Sequence, residues 1–348
     1  MATGKYTGLS GQSYWVERSK EIQDSIYKDV KKTEKLLATQ YKITLEEIQA
    51  SLSLFYTKYG EENKVSYKDA MKQMDAYDIS NYGSKMNRLQ QRALATNNPF
   101  VIAEMQKLYQ VGQVARFNAL MAQIDAQLIL LGHEQQIEME ESLKGTYESA
   151  YYQSAFAIQK ATGFGVSIAT LNPEVVQEAL TFAWSGDQFS ERIWSNRSKL
   201  VTEMRQTITQ GMIQGKSNQK MARELARKMD SSYKNSLRLI RTETAYVATE
   251  ATAKNYENEN LDSYIYLGTL DSKTSEICQD LDGKVFKVKD KQVGKNCPPM
   301  HPNCRSAIAP YFDDEDLDER RAKDADGNSI IVPNMTYQEW ARRKYLRK

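Results

Sequence analysis

Asn98 to Leu131 reads NPFVIAEMQKLYQVGQVARFNALMAQIDAQLILL. Asn98 is a favoured helix N-cap residue, and Pro99 suits the first helical position, where a missing N–H is no loss. From there Val101, Met105, Leu108, Val111, Val114, Phe117, Met121, Ile124, Leu128 and Leu131 recur every three or four residues. That period gathers them into one stripe along a helix; a strand would alternate every two. The stretch therefore predicts one long, continuous helix facing a core or a partner helix. His133, just past Gly132, is expected at its C-terminal end, where a histidine favours the helix dipole.

The same period extends outward. Ile22, Ile26, Val30, Thr33 and Leu37 mark one helix face, and Thr44 with Glu47 forms a capping box ahead of another helix. Asn172-Pro173 opens a helix expected to carry Trp184, and helical pattern resumes from Ile193 to about Met229. Gly211, Gly215 and Ser217 interrupt it, with Ser217 placed to cap a helix through Met221, Leu225 and Met229. A further helix is read from Ser236 to Asn258. Only Pro99 and Pro173 occur before residue 297, which suits a long α-helical region.

Past residue 260 the period changes. Tyr264 to Leu267 and Lys284 to Val288 read as short strands, Asp282-Gly283 as a turn before the second, and Ser306 to Ala309 as a third strand. The expected fold is mainly α with a small C-terminal α+β unit: long N-terminal helices, then a short-stranded module pinned by zinc or a cross-link. The expected divisions are a helical region over 1–200, a module over 201–312 and a charged tail over 313–348. The tail holds six acids within 313–319 and a basic end with Arg342, Arg343, Lys344, Arg347 and Lys348. Such runs are read first as solvated, with the basic end as a phosphate or partner contact.

The module carries the chain's most specific chemistry. All three cysteines and one of only two histidines lie within it: Cys278, Cys297, His301 and Cys304. Structural zinc takes four sulfur and nitrogen donors, and Cys3His is a common set. Pro298, Pro299 and Pro302 stiffen the turn that bears three of the four. Soft donors favour zinc over magnesium or calcium. The first ligand lacks the usual CxxC partner, because Ser275 occupies that position. Three states stay open on this reading: a structural zinc, a disulfide from Cys278 to Cys297 or Cys304, or free thiols. The odd cysteine count, and a Met1–Trp15 segment without an apolar signal-peptide core, weigh against the disulfide.

Bulk composition excludes some classes. The net charge of +2 over 348 residues does not describe a dedicated nucleic-acid binder. With 26% charged and 41% apolar residues the chain reads as an ordinary globular protein. The densest apolar stretch, Leu128 to Leu131, is too short to cross a bilayer.

Four segments, in order, resemble the phage minor head proteins of the Mu-F-like head morphogenesis family, over about 213–310. They are Gly215-Lys216-Ser217 leading into a capped helix; Arg241-Thr242-Glu243-Thr244 followed by Ala245, Ala248 and Ala251; Asp271 to Thr274 with Cys278 and Leu281 to Lys284; and Pro298-Pro299-Met300-His301-Pro302-Asn303-Cys304-Arg305. Two departures stand out: Ser275 where family members often have the first cysteine of a CxxC, and Ser306 where a last cysteine is common. The resemblance implies a low-copy structural virion protein that associates with the portal during procapsid assembly. It would be enclosed with the DNA in the head interior after assembly in the host cytoplasm, and would influence packaging or delivery. Contact with scaffold or major capsid protein goes with that picture, and a membrane does not. The apolar stripe makes self-association an expectation as well.

Arg238 and Arg241 share a helix face, offering a portal or DNA contact. The plainer reading has Arg241 or Glu243 pinning the helix to the cysteine-bearing unit. Asp271 and Asp282 are read as turn residues. No enzyme is expected. The chain has no HExxH, no His-x-Glu ahead of Pro-Cys-x-x-Cys, no P-loop and no Gly-x-Ser-x-Gly. The resemblance also implies that some relatives carry toxin domains at the C-terminus, for which the residues after Pro310 are too few. The alternatives kept are a zinc-stabilised nucleic-acid-binding module, for which Lys284, Lys287, Lys289, Lys291 and Lys295 give only a modest basic bias without aromatic interleaving, and a phage-associated toxin or enzyme.

Overall fold

The computed structural model describes residues 11–162, 170–312, 319–323, 329–333 and 335–342. In chain order these form α1 (Gln12–Tyr59), α2 (Tyr67–Ala70), α3 (Ala76–Ala95), α4 (Pro99–Val111), α5 (Arg116–Thr162), α6 (Pro173–Thr181), α7 (Phe189–Ile213) and α8 (Asn218–Asn258). There follow β1 (Ser263–Leu267), α9 (Glu276–Leu281), β2 (Val285–Lys287), β3 (Ala307–Tyr311), β4 (Glu319–Lys323), β5 (Ser329–Pro333) and α10 (Tyr337–Arg342). The mainly helical class with a small C-terminal sheet is as the periodicity indicates.

Contacts group the chain into two compact units, one of residues 1–32, 140–189 and 238–348, the other of 33–139 and 190–237. The divisions fall inside α1, α5 and α8, so neither unit is contiguous. This differs from three consecutive blocks, because helices of 41 to 48 residues are longer than one compact core needs.

The second unit is all helix. Ile48, Leu52 and Tyr56 of α1 pack with Leu120, Ile124 and Leu128 of α5, Met204 and Ile208 of α7, and Met221 and Leu225 of α8. The opposite side of α5 places Ala119, Ala122, Ala126 and Ile129 against Met86 and Leu89 of α3 and Val101 and Met105 of α4. Buried on both sides, this half of α5 is the unit's spine; each fully buried Leu, Ile or Met contributes about 1.5–3 kcal/mol over its exposed state.

The stripe from Val101 to Leu131 is therefore not one helix. Asn98 caps α4 as expected, its Oδ1 accepting from Phe100 and Val101 N–H. Gly112 is its C-cap, and a Cβ there would lie 2.0 Å from the Tyr82 hydroxyl, which donates to Leu108 O at 2.7 Å. Val111 and Val114 flank the break and are exposed. His133 falls within α5, buried, with Nδ1 3.4 Å from Asn98 Nδ2. The capping box at Thr44 lies inside the unbroken α1, where Thr44 is buried. Trp184 lies beyond the end of α6 and stacks on Tyr246 at 5.4 Å. The helices ending at Met229 and starting at Ser236 are one, α8.

In the first unit β1 is the central strand of an antiparallel sheet ordered β2-β1-β3, with Tyr264 opposite both Phe286 and Pro310. Trp15 and Val16 of α1, Ile158 of α5, and Ala253 and Tyr256 of α8 complete its core with Tyr264, Leu267 and Ile308. The chain leading into β3, and β3 itself, are bonded by α1 side chains. Gln12 Nε2 donates to Pro310 O at 2.6 Å, Gln23 Nε2 to Arg305 O at 3.0 Å, and Tyr27 Oη to Cys304 O at 3.1 Å. Unpaired strand groups invite pairing with other chains, and Gln12 satisfies one of them at Pro310 while Gln23 and Tyr27 hold the lead-in. The first part of α1, up to residue 32, thus belongs with the C-terminal module.

Residues 313–348 are also more than a charged tail. Among the described residues, β4 and β5 pair antiparallel, and Ala322, Val332, Met335, Tyr337 and Trp340 form a core with Leu270. Asp282 Oδ2 accepts from Tyr337 N at 2.8 Å at the start of α10, and Tyr337 Oη donates to Asp271 O at 3.1 Å. Residues 313–318 of the acidic run lie outside the described residues.

Candidate metal centre

Two short segments meet behind β1. The first is the turn into α9, with Ser275 at its N-cap and Cys278 on its first turn. The second is the loop from Cys297 to Arg305, where Cys304 N–H bonds to His301 O at 3.1 Å and Asn303 takes a left-handed φ of 60°. Asn tolerates that conformation better than most residues. Asn303 N donates to Thr242 Oγ1 on α8 at 3.0 Å, fixing the loop to the helix. The helix is thus tied to the loop through Thr242, while its neighbour Glu243 accepts from Trp184 Nε1 at 3.0 Å.

The donor atoms of Cys278, His301 and Cys304 lie within 4.8 Å of one another. Cys278 Sγ is 3.3 Å from His301 Nε2 and 3.8 Å from Cys304 Sγ. A tetrahedral ion with bonds of about 2.3 Å to sulfur and about 2.0 Å to nitrogen needs edges of about 3.8 and 3.5 Å. Cys278 therefore stands at ligand spacing from both His301 and Cys304. His301 Nδ1 lies 2.9 Å from Pro302 O. A carbonyl only accepts, so Nδ1 carries the proton and the Nε2 lone pair points into the cluster, the tautomer a metal-ligating histidine needs.

The surroundings favour thiolate at Cys278. The Cys304 thiol donates to it, and Ser275, Ser306 and Tyr266 add further hydrogen bonds, which together hold the Cys278 pKa well below the ordinary thiol value. Tyr266, fully buried, donates its hydroxyl to Cys278 Sγ at 3.2 Å. Cys304 shifts the opposite way, because its proton is held between the two sulfurs and because it is buried. Sharing one proton is how two close acidic groups avoid a double negative charge.

Cys297, expected as a fourth ligand, is elsewhere. It is buried among Trp15, Tyr256 and Tyr264, and burial pushes its thiol up to about 12. A turn sets this apart: Cys297 N bonds to Gln292 O at 3.2 Å, and Asn296 Oδ1 accepts from Gln292 N at 2.7 Å. All three cysteines are free thiols.

Asp271 and Asp282 are turn residues, as read, with added roles. Asp271 Oδ1 accepts from Lys273 N at 2.9 Å and from Arg305 Nη2 at 2.9 Å, while Oδ2 takes Arg305 Nη1. This two-pronged bond locks the last residue of the Pro-x-Cys-Arg string. Asp282 Oδ1 accepts from Gly268 N at 2.8 Å. Arg238 and Arg241 are both exposed on α8, with Arg241 close enough for its charge to act on the Tyr27 hydroxyl. Arg342 ends α10; Arg343, Lys344, Arg347 and Lys348 lie outside the described residues. Of the basic residues on the loop, Lys291 pairs with Glu250 at 2.6 Å and Lys287 pairs with Asp262. Sequence reasoning missed Thr242, Tyr266 and Tyr27, for which no local pattern exists. Ser275 did carry a signal, its i, i+3 spacing to Cys278.

A helical body bearing a small sheet and a Cys/His/Cys cluster is the setting in which residues 202–309 match the family model of Phage Mu protein F like protein. The resemblance carried by the Pro-Pro-x-His-Pro-x-Cys-Arg string is thus confirmed over that segment. Across nearly its whole length the chain is similar to the minor head protein GP7 of Bacillus phage SPP1, 23% identical over 346 residues, 94% of this chain and 96% of that protein. It is also similar to the NAD(+)–arginine ADP-ribosyltransferase EFV of Enterococcus faecalis, 27% identical over 162 residues. That match spans 44% of this chain and only 33% of the relative's length. No solved structure matches.

Proposed function

We propose that this chain is a structural minor head protein of a tailed phage, working through interaction surfaces. The observation that carries the reading is the end-to-end similarity to a minor head protein, together with the Mu protein F like segment at 202–309. On this reading the protein joins the portal during procapsid assembly in the host cytoplasm, with scaffold or major capsid protein nearby. It then resides in the head interior with the packaged DNA, where it influences packaging or delivery. Among the described residues no helix is long and apolar enough to cross a membrane.

Within this reading, zinc held by Cys278, His301 and Cys304 is a structural pin, since the cluster adds order to a unit with a small sheet. Zinc supplies on the order of 10 kcal/mol of apparent folding free energy to small modules. The transferase similarity spans only a third of that relative's length, and this reading assigns no residue a catalytic role. Non-specific DNA contact through the exposed Arg238 and Arg241 is the second reading, favoured by their shared face on α8.

The test is co-expression with the portal protein from the same phage genome, followed by isolation of portal complexes and procapsids. Co-purification at a fixed low ratio, unchanged between 50 and about 300 mM salt, supports the portal reading. Absence from both particles, with steeply salt-dependent binding to bare DNA, overturns it in favour of the nucleic-acid reading.

A further inference from the structure

Ser275 occupies the N-cap of α9. A serine there ordinarily turns its hydroxyl to a first-turn backbone N–H, stabilising the helix by about 0.5–2 kcal/mol. Ser275 makes no such side-chain bond. Its backbone carbonyl takes Cys278 N–H at 3.0 Å instead, and its hydroxyl lies 2.7 Å from His301 Nε2. The same Nε2 faces Cys278 Sγ at 3.3 Å, so the hydroxyl oxygen, the imidazole nitrogen and the sulfur stand together.

Ser275 with Cys278, and His301 with Cys304, are both i, i+3 pairs, and each turn aims two side chains at one point. Two-residue intervals of this kind are the half-sites of structural zinc centres. Four polar atoms from two turns thus converge, while Cys297 is sealed in a separate apolar cluster. We propose that the Ser275 hydroxyl oxygen, and not the Cys297 thiol, is the fourth donor of a divalent metal centre formed with Cys278, His301 and Cys304. The inference rests on the metal reading given above and adds the identity of the closing ligand.

Charge favours the assignment. Cys278 and Cys304 are each 1% exposed, so the centre lies where net charge is costly. Two thiolates neutralise a divalent ion, and a neutral hydroxyl keeps the total at zero. A hydroxyl is also the hardest of the four donors, so the site holds soft ions less tightly than a three-thiolate set does.

The experiment uses the full chain, reduced and stripped with a chelator, titrated with Co2+ and then back-titrated with Zn2+. The wild type is expected to take up one Co2+ with the sulfur-to-cobalt charge-transfer band of two thiolates. Ser275→Ala should weaken uptake by at least about tenfold, since even residues that merely orient a ligand cost that much. Ser275→Cys should tighten it and add the intensity of a third thiolate, a change that an orienting role would not produce. Cys297→Ala should bind as the wild type does. Wild-type affinity in Ser275→Ala, or no third-thiolate intensity in Ser275→Cys, removes Ser275 from the coordination sphere and leaves the three-donor centre standing. Loss of uptake in Cys297→Ala overturns the assignment in favour of Cys297. No uptake by the wild type removes the metal reading and this inference together.

Discussion

The Tyr27 hydroxyl donates to the backbone carbonyl of Cys304 across 277 positions of sequence, at 3.1 Å. With Gln23 bonded to Arg305 and Ser306 carbonyls at 3.0 and 3.2 Å, it makes the start of α1 a brace for the His301–Cys304 loop. Tyr27→Phe is expected to cost about 1–2 kcal/mol by leaving that carbonyl short of a donor. Hydrogen exchange checks this: residues 12–27 and 304–311 should lose protection together, while 41–56 keep theirs. Loss confined to one of the two segments would show that they are not coupled.

In the helical unit the buried Asp78 carboxylate is a three-way electrostatic tie. It accepts from Lys58 Nζ at 2.6 Å, Tyr59 Oη at 2.5 Å and Arg116 Nε at 2.9 Å. Asp78→Ala removes the partner shared by Lys58 and Arg116 and should cost about 1–3 kcal/mol, read from denaturant midpoints.

The same group predicts a pH dependence. Hydrogen bonds from Lys58, Tyr59 and Arg116 outweigh burial and hold Asp78 at about 2 in the folded state. An unfolded aspartate titrates near about 3.9. The folded value is depressed, so the stabilisation is fully present above about pH 4 and is lost as pH falls through about 2. The stability gap between wild type and Asp78→Asn should therefore narrow from pH 4 to pH 2. A gap independent of pH in that window would refute the assignment.

Gly112 is required by space. Its missing Cβ would sit 2.0 Å from the Tyr82 hydroxyl and 2.3 Å from its ring carbon, with the ring held by the bond to Leu108 O. Gly112→Ala should destabilise by about 1–3 kcal/mol, as overpacking does, although alanine is the better helix former. Thermal unfolding measures it, and an unchanged or raised Tm would mean that Tyr82 swings away freely.

Cys297 should be inert in the native protein. Burial holds its pKa near about 12, and only the thiolate attacks a thiol reagent. Peptide mapping after alkylation at pH 8 should find Cys297 modified only once denaturant is present. Native-state modification at the rate of a free thiol would show that the core around Trp15 and Tyr256 opens.

The helical class and the strands were legible because burial imposes a period, and Ile124, Leu128 and Tyr264 obey it. Breaks were not. Val111 and Val114 fit the helical period yet are exposed, on either side of the C-cap Gly112, which packs against a side chain 30 positions earlier. The Thr44–Glu47 pair has the form of a cap, but continuous packing from Tyr41 to Tyr56 carries α1 through it. The metal donors were half legible. Composition gathered the cysteines and His301, but a turn stabilised by Asn296 decides that Cys297 faces the sheet core. The C-terminal core was hidden because Tyr337 and Trp340 stand within a strongly charged stretch.

The bond between Tyr27 and Cys304 also bears on how the protein is made. Chains are synthesised at about 5–20 residues per second, so on the order of 15–60 s separate the appearance of the two residues at the ribosome. Throughout that interval Gln12, Gln23 and Tyr27 have no strand to cap, while residues 41–56 already have α5 to pack on once it emerges. The unit of residues 33–139 and 190–237 is thus complete in the nascent chain well before the other. The unit that holds the cysteines closes later, when α1 meets the 304–311 segment made long after it. A partner present before that closure meets the sheet before α1 has covered it.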